Sequence, residues 1–278
     1  MQIGIMAGTF VRSTLEEELD AVADHGIYGM QFVLASAGLP EWPDHMDPEL
    51  CDRIRKEMNA RKITMSAVSG TYNMIHPDLE QRQDGLRKLR GLASACDRLG
   101  TSVITLCTGT RDPEYMWRRH PDNDSPEAWE DLVAAMRQAV QIAETYKVTL
   151  ALEPEVSNVV DSAQKARRLL DQMGSPCLKI VMDGANIFHT GELPRMRDML
   201  DEAFALLGKD VAIAHAKDLD HDGEAGNIAA GTGLLDYDHY LSLLSTLGTD
   251  VPLILHGLSE TQVDGCVAFL RGVRAGRS

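Results

Sequence analysis

Short apolar runs alternate with stretches of helical periodicity along the whole chain, and this alternation constrains the fold more than any other feature. The strand-like runs occupy 2–6, 29–34, 63–68, 102–107, 148–153, 178–183, 211–215 and 252–256. They are apolar or β-branched and mostly lack a strict in–out alternation, as expected of strands covered on both faces. Between them, apolar side chains recur at helical spacing, at 86, 89, 93 and 96, at 132, 136, 140 and 143, and at 196, 199, 203 and 207. Ser125-Pro126 and Asp47-Pro48 resemble an N-cap followed by a first-turn proline. Eight such repeats in 278 residues predict a single (β/α)8 barrel over 1–278, an α/β fold. The rival is an open doubly wound sheet, which requires a glycine-rich turn after its first strand. Met6-Ala7-Gly8-Thr9 does not supply one.

Composition narrows the class. The formal charge is −15, with 27 Lys and Arg against 42 Asp and Glu. So acidic a surface repels a phosphate backbone, which argues against nucleic acid as a partner. The five cysteines, at 51, 96, 107, 177 and 266, form no C-x-x-C pair, so neither a disulfide framework nor a zinc ribbon is expected. The first residues, MQIGIMAG, carry no basic segment before an apolar stretch, and no run approaches the length of a membrane span. A cytoplasmic location is the expectation, with no membrane partner.

Four of the runs end on a residue that can hold a metal: Glu153 after VTLAL, Asp183 after LKIVM, His215 after VAIA and His256 after PLIL. In a barrel these tips lie at the C-terminal mouth, where enzymes of this architecture carry their active sites. Two carboxylates with one or two imidazoles suit one divalent ion. Mn²⁺ is the leading expectation, with Mg²⁺, Co²⁺ and Zn²⁺ as alternatives. Taken singly, each residue has a plainer explanation as a salt-bridge partner or a packed histidine. It is their coincidence at four successive strand tips that favours a metal.

At these positions the chain resembles the sugar-phosphate isomerase/epimerase family of xylose isomerase-like barrels. The features that carry the resemblance are A-L-E-P-E over 151–155 with N-V-V from 158, V-M-D-G-A-N over 181–186, H-A-K-D over 215–218, G-T-G-L-L-D over 231–236, and P-L-I-L-H over 252–256. The resemblance spans essentially the whole chain. It implies that Glu153, Asp183 and His215 bind one metal. The family's second metal-binding glutamate falls at 256, which is histidine here. His256 is therefore expected either to ligate the metal or to act as acid or base.

The resemblance also directs attention to the loops that follow the strands. Lys217 is expected on substrate oxygens, with a rim salt bridge to Asp218 as the alternative. Glu155 is expected beside Glu153 as a partner or a substrate contact, and Asn186 on a substrate hydroxyl or as a helix cap. The 108–125 loop offers Trp117 as a lid over a sugar ring or as a plug against a second subunit. The same loop offers His120, together with Arg111, Arg118 and Arg119 as grips for a carboxylate or phosphate. The 69–78 loop adds Tyr72, Asn73 and His76, the last as a second acid or base. Gly231-Thr232-Gly233 is a weak phosphate signal.

The implied chemistry is proton abstraction next to a carbonyl of a sugar, keto-sugar or polyol, with the metal stabilising an enediolate. Isomerisation or epimerisation leads. Elimination of a β-leaving group from a keto-sugar, inosose or 3-keto-glycoside is the alternative, because elimination needs only one base. The partner is a small carbohydrate, and a homo-oligomer is an open expectation.

Overall fold

A computed structural model gives the protein's structure, and residues 2–40, 43, 45–248 and 250–275 are described. Eight parallel strands close into a cylinder. In chain order they are β1 (Ile3–Met6), β2 (Gly29–Phe32), β3 (Thr64–Ser69), β4 (Val103–Cys107), β5 (Thr149–Glu153), β6 (Leu178–Asp183), β7 (Val211–Asp218) and, after a short extra strand, β9 (Leu253–Leu255). Closure is made by β9, which pairs with β1 through Ile3–Leu253 and with β7 through His215–Ile254. The extra strand β8 (Ile228–Ala229) lies antiparallel on the extended tip of β7.

The helices are α1 (Leu15–Asp24), α2 (Pro48–Ala60), α3 (Leu79–Leu99), α4 (Pro126–Tyr146), α5 (Ala163–Met173), α6 (Met196–Leu207), α7 (Tyr237–Ser245) and α8 (Val263–Ala275). Their starts follow capping chemistry. Asp47 and Ser125 accept from the first-turn amides of α2 and α4, each with a proline directly after the cap, as the sequence predicts. Among the described residues no helix is long and apolar enough to cross a membrane. All five cysteines are free thiols.

Two apolar layers result. The larger fills the space between sheet and helices. The smaller lies inside the cylinder and consists of Ala67, Ala151, Val181, Ile213 and Ile254, all fully buried. Alternate residues of a strand face the same side. Two residues beyond Ala151, Val181, Ile213 and Ile254 stand Glu153, Asp183, His215 and His256. The apolar layer is thus the floor of a site, and the strand period lifts four polar side chains directly above it. Gly4 belongs to the same construction: a Cβ there would come within 2.7 Å of Ile254 Cδ1 and 2.9 Å of the Gly29 carbonyl oxygen.

Strand limits differ from expectation in two informative places. β2 stops at Phe32 because Leu34–Ala37 winds into a short 3₁₀ turn. β7 continues through Asp218 because β8 pairs with its tip, Lys217 opposite Ala229 and Asp218 opposite Ile228.

Candidate metal centre

Asp183, His215 and His256 converge at the mouth, each offering one ligand atom, and these atoms all lie within 4.8 Å of one another. Glu153 completes the group: its Oε1 is 3.3 Å from His215 Nδ1, and Asp183 Oδ2 is also 3.3 Å from that nitrogen. Asp183 Oδ2, His215 Nδ1, His256 Nδ1 and Asn186 Oδ1 are buried and make no hydrogen bond, although His215 Nδ1 and Lys217 Nζ each stand 3.3 Å from Asp183 Oδ2 as ionic neighbours. Buried polar atoms left unpaired cost roughly 1–3 kcal/mol each. One carboxylate and two imidazoles presenting such atoms around one point, with the Glu153 carboxylate beside them, are what a divalent cation would satisfy, and the donor set fits one.

The other atoms of the group are firmly held. His215 Nε2 lies 2.9 Å from Gln31 Oε1, and the Gln31 amide nitrogen donates to Thr105 Oγ1 at 3.1 Å. Because that donation turns the amide oxygen toward His215, Nε2 carries a ring proton, and Nδ1 is the nitrogen left to face the carboxylates or a cation bound between them. Asn186 donates to Glu153 Oε1 at 2.6 Å. The Tyr240 hydroxyl, fully buried, lies 2.8 Å from the Met182 carbonyl oxygen and 3.0 Å from that of His215, pinning the tips of β6 and β7 from behind.

Charge is unevenly distributed. Burial alone would lower the His215 pKa, but the carboxylates of Glu153 and Asp183 overcome it and raise the value to about 9. Burial pushes His256 the other way, down to about 3, with Lys217 and His215 adding to the fall. His256 is therefore a neutral imidazole at physiological pH. Burial would raise Asp183, yet Lys217 and His215 hold its carboxyl below the usual range. Lys217, disfavoured as a cation by burial, is kept charged by Asp183 and Glu153.

Above the group opens a cavity of about 360 Å³. Its polar side has Glu153, His215, His256, Gln31 and Thr105, and its apolar side includes Val33, Leu34, Met116 and Trp117. Trp117, 43% exposed, stands over the mouth from the β4–α4 loop.

Several residues singled out in the sequence are placed elsewhere. Pro154 ends β5, so Glu155 turns away from the cavity and accepts from the Ser157 amide and the Asn158 side chain. Asp218 is buried under a loop and accepts from the amides of Leu219, Gly231, Gly233 and Leu235 at 2.9–3.0 Å. Gly231-Thr232-Gly233 therefore wraps a carboxylate of this chain, and a Cβ at Gly233 would sit 2.5 Å from Asp218 Oδ1. Lys217 Nζ rests 3.3 Å from Asp183 Oδ2 and does not line the cavity. His76 spends both ring nitrogens on its loop: Nδ1 accepts from the Asp78 amide and Nε2 lies 3.1 Å from the Pro113 carbonyl oxygen. His120 caps a 3₁₀ turn through the Asp122 amide. Arg111 is bound to Asp131 and the Ile75 carbonyl oxygen, Arg118 to Asp112, and Arg119 to Asp161 and Asp124.

A family model described as the xylose isomerase-like TIM barrel matches residues 19–268. The chain belongs to that family. Solved structures similar to this family member include the IolI protein with a bound zinc atom, at 17% identity and TM-score 0.73, over 99% of this chain and 97% of that one. Another is 3-keto-D-glucoside 4-epimerase YcjR from E. coli, at 17% identity and TM-score 0.70, over 98% and 99%. A third is the probable 3-DHS dehydratase AsbF from Bacillus anthracis, at 15% identity and TM-score 0.75, again over 98% and 99%. Identities this low establish the shared fold of this xylose isomerase-like barrel.

Sequence reasoning missed Gln31, Thr105 and Tyr240. Each is a lone polar group inside an apolar run or helix, a position that resembles ordinary packing until the strands around it close.

Proposed function

We propose that this xylose isomerase-like barrel is a divalent-metal-dependent isomerase or epimerase that moves a proton next to the carbonyl of a sugar, keto-sugar or polyol. The observation that carries the proposal is the convergence of Asp183, His215 and His256, whose buried ligand atoms lie within 4.8 Å of one another, with Glu153 Oε1 3.3 Å from His215 Nδ1. The neighbours' printed names add support, since they include an epimerase, a dehydratase and a zinc-binding protein.

Glu153, Asp183, His215 and His256 would hold the ion, which supplies Lewis acidity that polarises a carbonyl. Glu153 is the carboxylate that reaches the cavity. Asn186, donating to Oε1, orients it for proton removal at the carbon beside the carbonyl. His256 stays neutral, so it serves as a lone-pair donor and not as a cationic acid. Lys217, ion-paired to Asp183, offsets one negative charge of the ligand set and is not free to shuttle protons. Trp117 and Met116 shield the reacting carbon from water.

A metal-dependent lyase is the second reading. It is favoured by one observation: Glu153 is the one carboxylate among the described cavity-lining residues. Elimination needs one base, whereas epimerisation needs opposed groups. Incubating the Mn²⁺-loaded protein with keto-sugars in D₂O distinguishes the two. Deuterium in a product that keeps its oxygens supports the isomerase, an unsaturated product supports the lyase, and no exchange across a broad panel refutes both.

A further inference from the structure

The cavity's walls say what kind of sugar it takes. On the sequence alone, Arg111, Arg118 and Arg119 in the 108–125 loop are the natural grips for a phosphate or carboxylate. In the structure each is spent on the protein. Arg111 reaches Asp131 at 2.5 Å and the Ile75 carbonyl oxygen at 3.1 Å. Arg118 is paired with Asp112 at 2.5 Å, and Arg119 bridges Asp161 and Asp124 at 3.0 and 2.6 Å. Arg12, at the β1 side of the mouth, is paired with Glu260. Lys217 is buried against Asp183. Among the described residues that line the cavity there is no Lys or Arg. A phosphate brought there would lose its water with no cation to replace it, beside the Glu153 carboxylate, in a protein of formal charge −15.

The opposite side carries the polar Gln31, Ser69, Thr71 and Thr105 together with a set of apolar side chains. In the closed strand order β2 lies across the barrel from β6, which carries Asp183. Beyond the tip of β2, Val33, Leu34 and Ala35 line the cavity, and Met116 and Trp117 close over it from the β4–α4 loop. A fully hydroxylated free sugar would leave this surface unmatched. At about 360 Å³ the cavity is at the small end for ligand sites, enough for a sugar ring with one compact substituent the size of a phenyl group.

We infer that the substrate is an uncharged sugar derivative, neither phosphorylated nor carboxylated, whose ring faces Glu153 and whose apolar arm packs between Leu34 and Trp117. The inference rests on the proposed function and adds the substrate class to it.

The test measures binding by calorimetry to the full-length Mn²⁺-loaded protein. The probes are methyl and phenyl 3-keto-glucosides, a free ketose and that ketose's phosphate ester. The phenyl glycoside is expected to bind at least tenfold more tightly than the methyl glycoside, and the phosphate ester at least tenfold more weakly than its parent ketose. Trp117→Ala is expected to reduce the phenyl-to-methyl ratio below threefold. Ala35→Arg, at an exposed cavity-lining position, is expected to improve phosphate-ester binding at least fivefold. A phosphate ester that binds as tightly as its parent, or a phenyl-to-methyl ratio below tenfold, overturns the inference and leaves the proposed chemistry standing. Binding of none of the four probes overturns the inference, and the proposed function falls with it only if the D₂O exchange panel also shows no reaction.

Discussion

Replacing Gln31 by leucine isolates the one contact that fixes the tautomer of His215. The side chain is buried, its oxygen 2.9 Å from His215 Nε2, its nitrogen on Thr105. Leucine keeps the approximate volume and removes the acceptor. The Nε2 proton then has no partner in a buried site, and the ring is free to move its proton to Nδ1, the nitrogen that faces Glu153 and Asp183. Loss of such an outer partner typically weakens metal binding about 10–100-fold. By the tenfold-per-1.4 kcal/mol rule this is about 1.4–2.8 kcal/mol. Competition against a chromophoric chelator measures it directly, with Zn²⁺ or Mn²⁺ and without any substrate. Gln31→Glu keeps an acceptor toward Nε2 and is expected to stay within about threefold of the parent. The nitrogen chemical shifts of His215 in labelled protein saturated with Zn²⁺, where the ring is neutral, report the tautomer independently of affinity. If Gln31→Leu binds metal as tightly as the parent and leaves those shifts unchanged, the assignment of Nδ1 as the ligand atom is wrong.

Further expectations concern the base, the loop and the outer ion pairs. Glu153→Gln removes the cavity's carboxylate and is expected to lower turnover by about 10²–10⁴-fold with an unchanged far-ultraviolet circular dichroism spectrum; parent-like turnover would eliminate Glu153 as the base. Asp218→Ala strands the amides of Leu219, Gly231, Gly233 and Leu235 and is expected to cost about 3 kcal/mol or more in urea unfolding. Asp210 titrates low: burial opposes its ionisation, but Lys179 and Arg167, each at 2.7 Å, overcome that. Its contribution is therefore present above its unfolded value, near pH 4, and is lost as pH falls through the lower folded value. Asp210→Asn should destabilise by about 1 kcal/mol at pH 7, and the difference should shrink toward zero as the pH falls below about 4.

The barrel and the clustering of the four polar strand tips were legible in the sequence for one physical reason. Strand period and strand end together determine where a side chain points, so Glu153, Asp183, His215 and His256 could be placed above the floor without coordinates. The contacts around them were not legible, because they join distant segments. Arg119 meets Asp161 and Arg111 meets Asp131 only once helices and loops have packed, so three apparently free cations in a polar loop become internal struts. Asp218 misleads for a similar reason. It follows a candidate ligand strand, but the pairing of β8 onto β7 folds the next loop around its carboxylate. Glu155 lies just past the end of β5, so strand alternation no longer sets its direction, and its carboxylate is taken up by the Ser157 amide and the Asn158 side chain.

The five-residue floor inside the cylinder has an evolutionary and engineering consequence. Each of its strands also carries a cavity-lining or candidate ligand residue two positions further along, so enlarging or shrinking a floor side chain would tilt that residue rather than merely perturb packing. New specificities in such a scaffold are therefore reached most cheaply through Leu34, Met116, Trp117 and their neighbouring loops, while Ala151, Val181, Ile213 and Ile254 act as a shared alignment gauge that must be left alone.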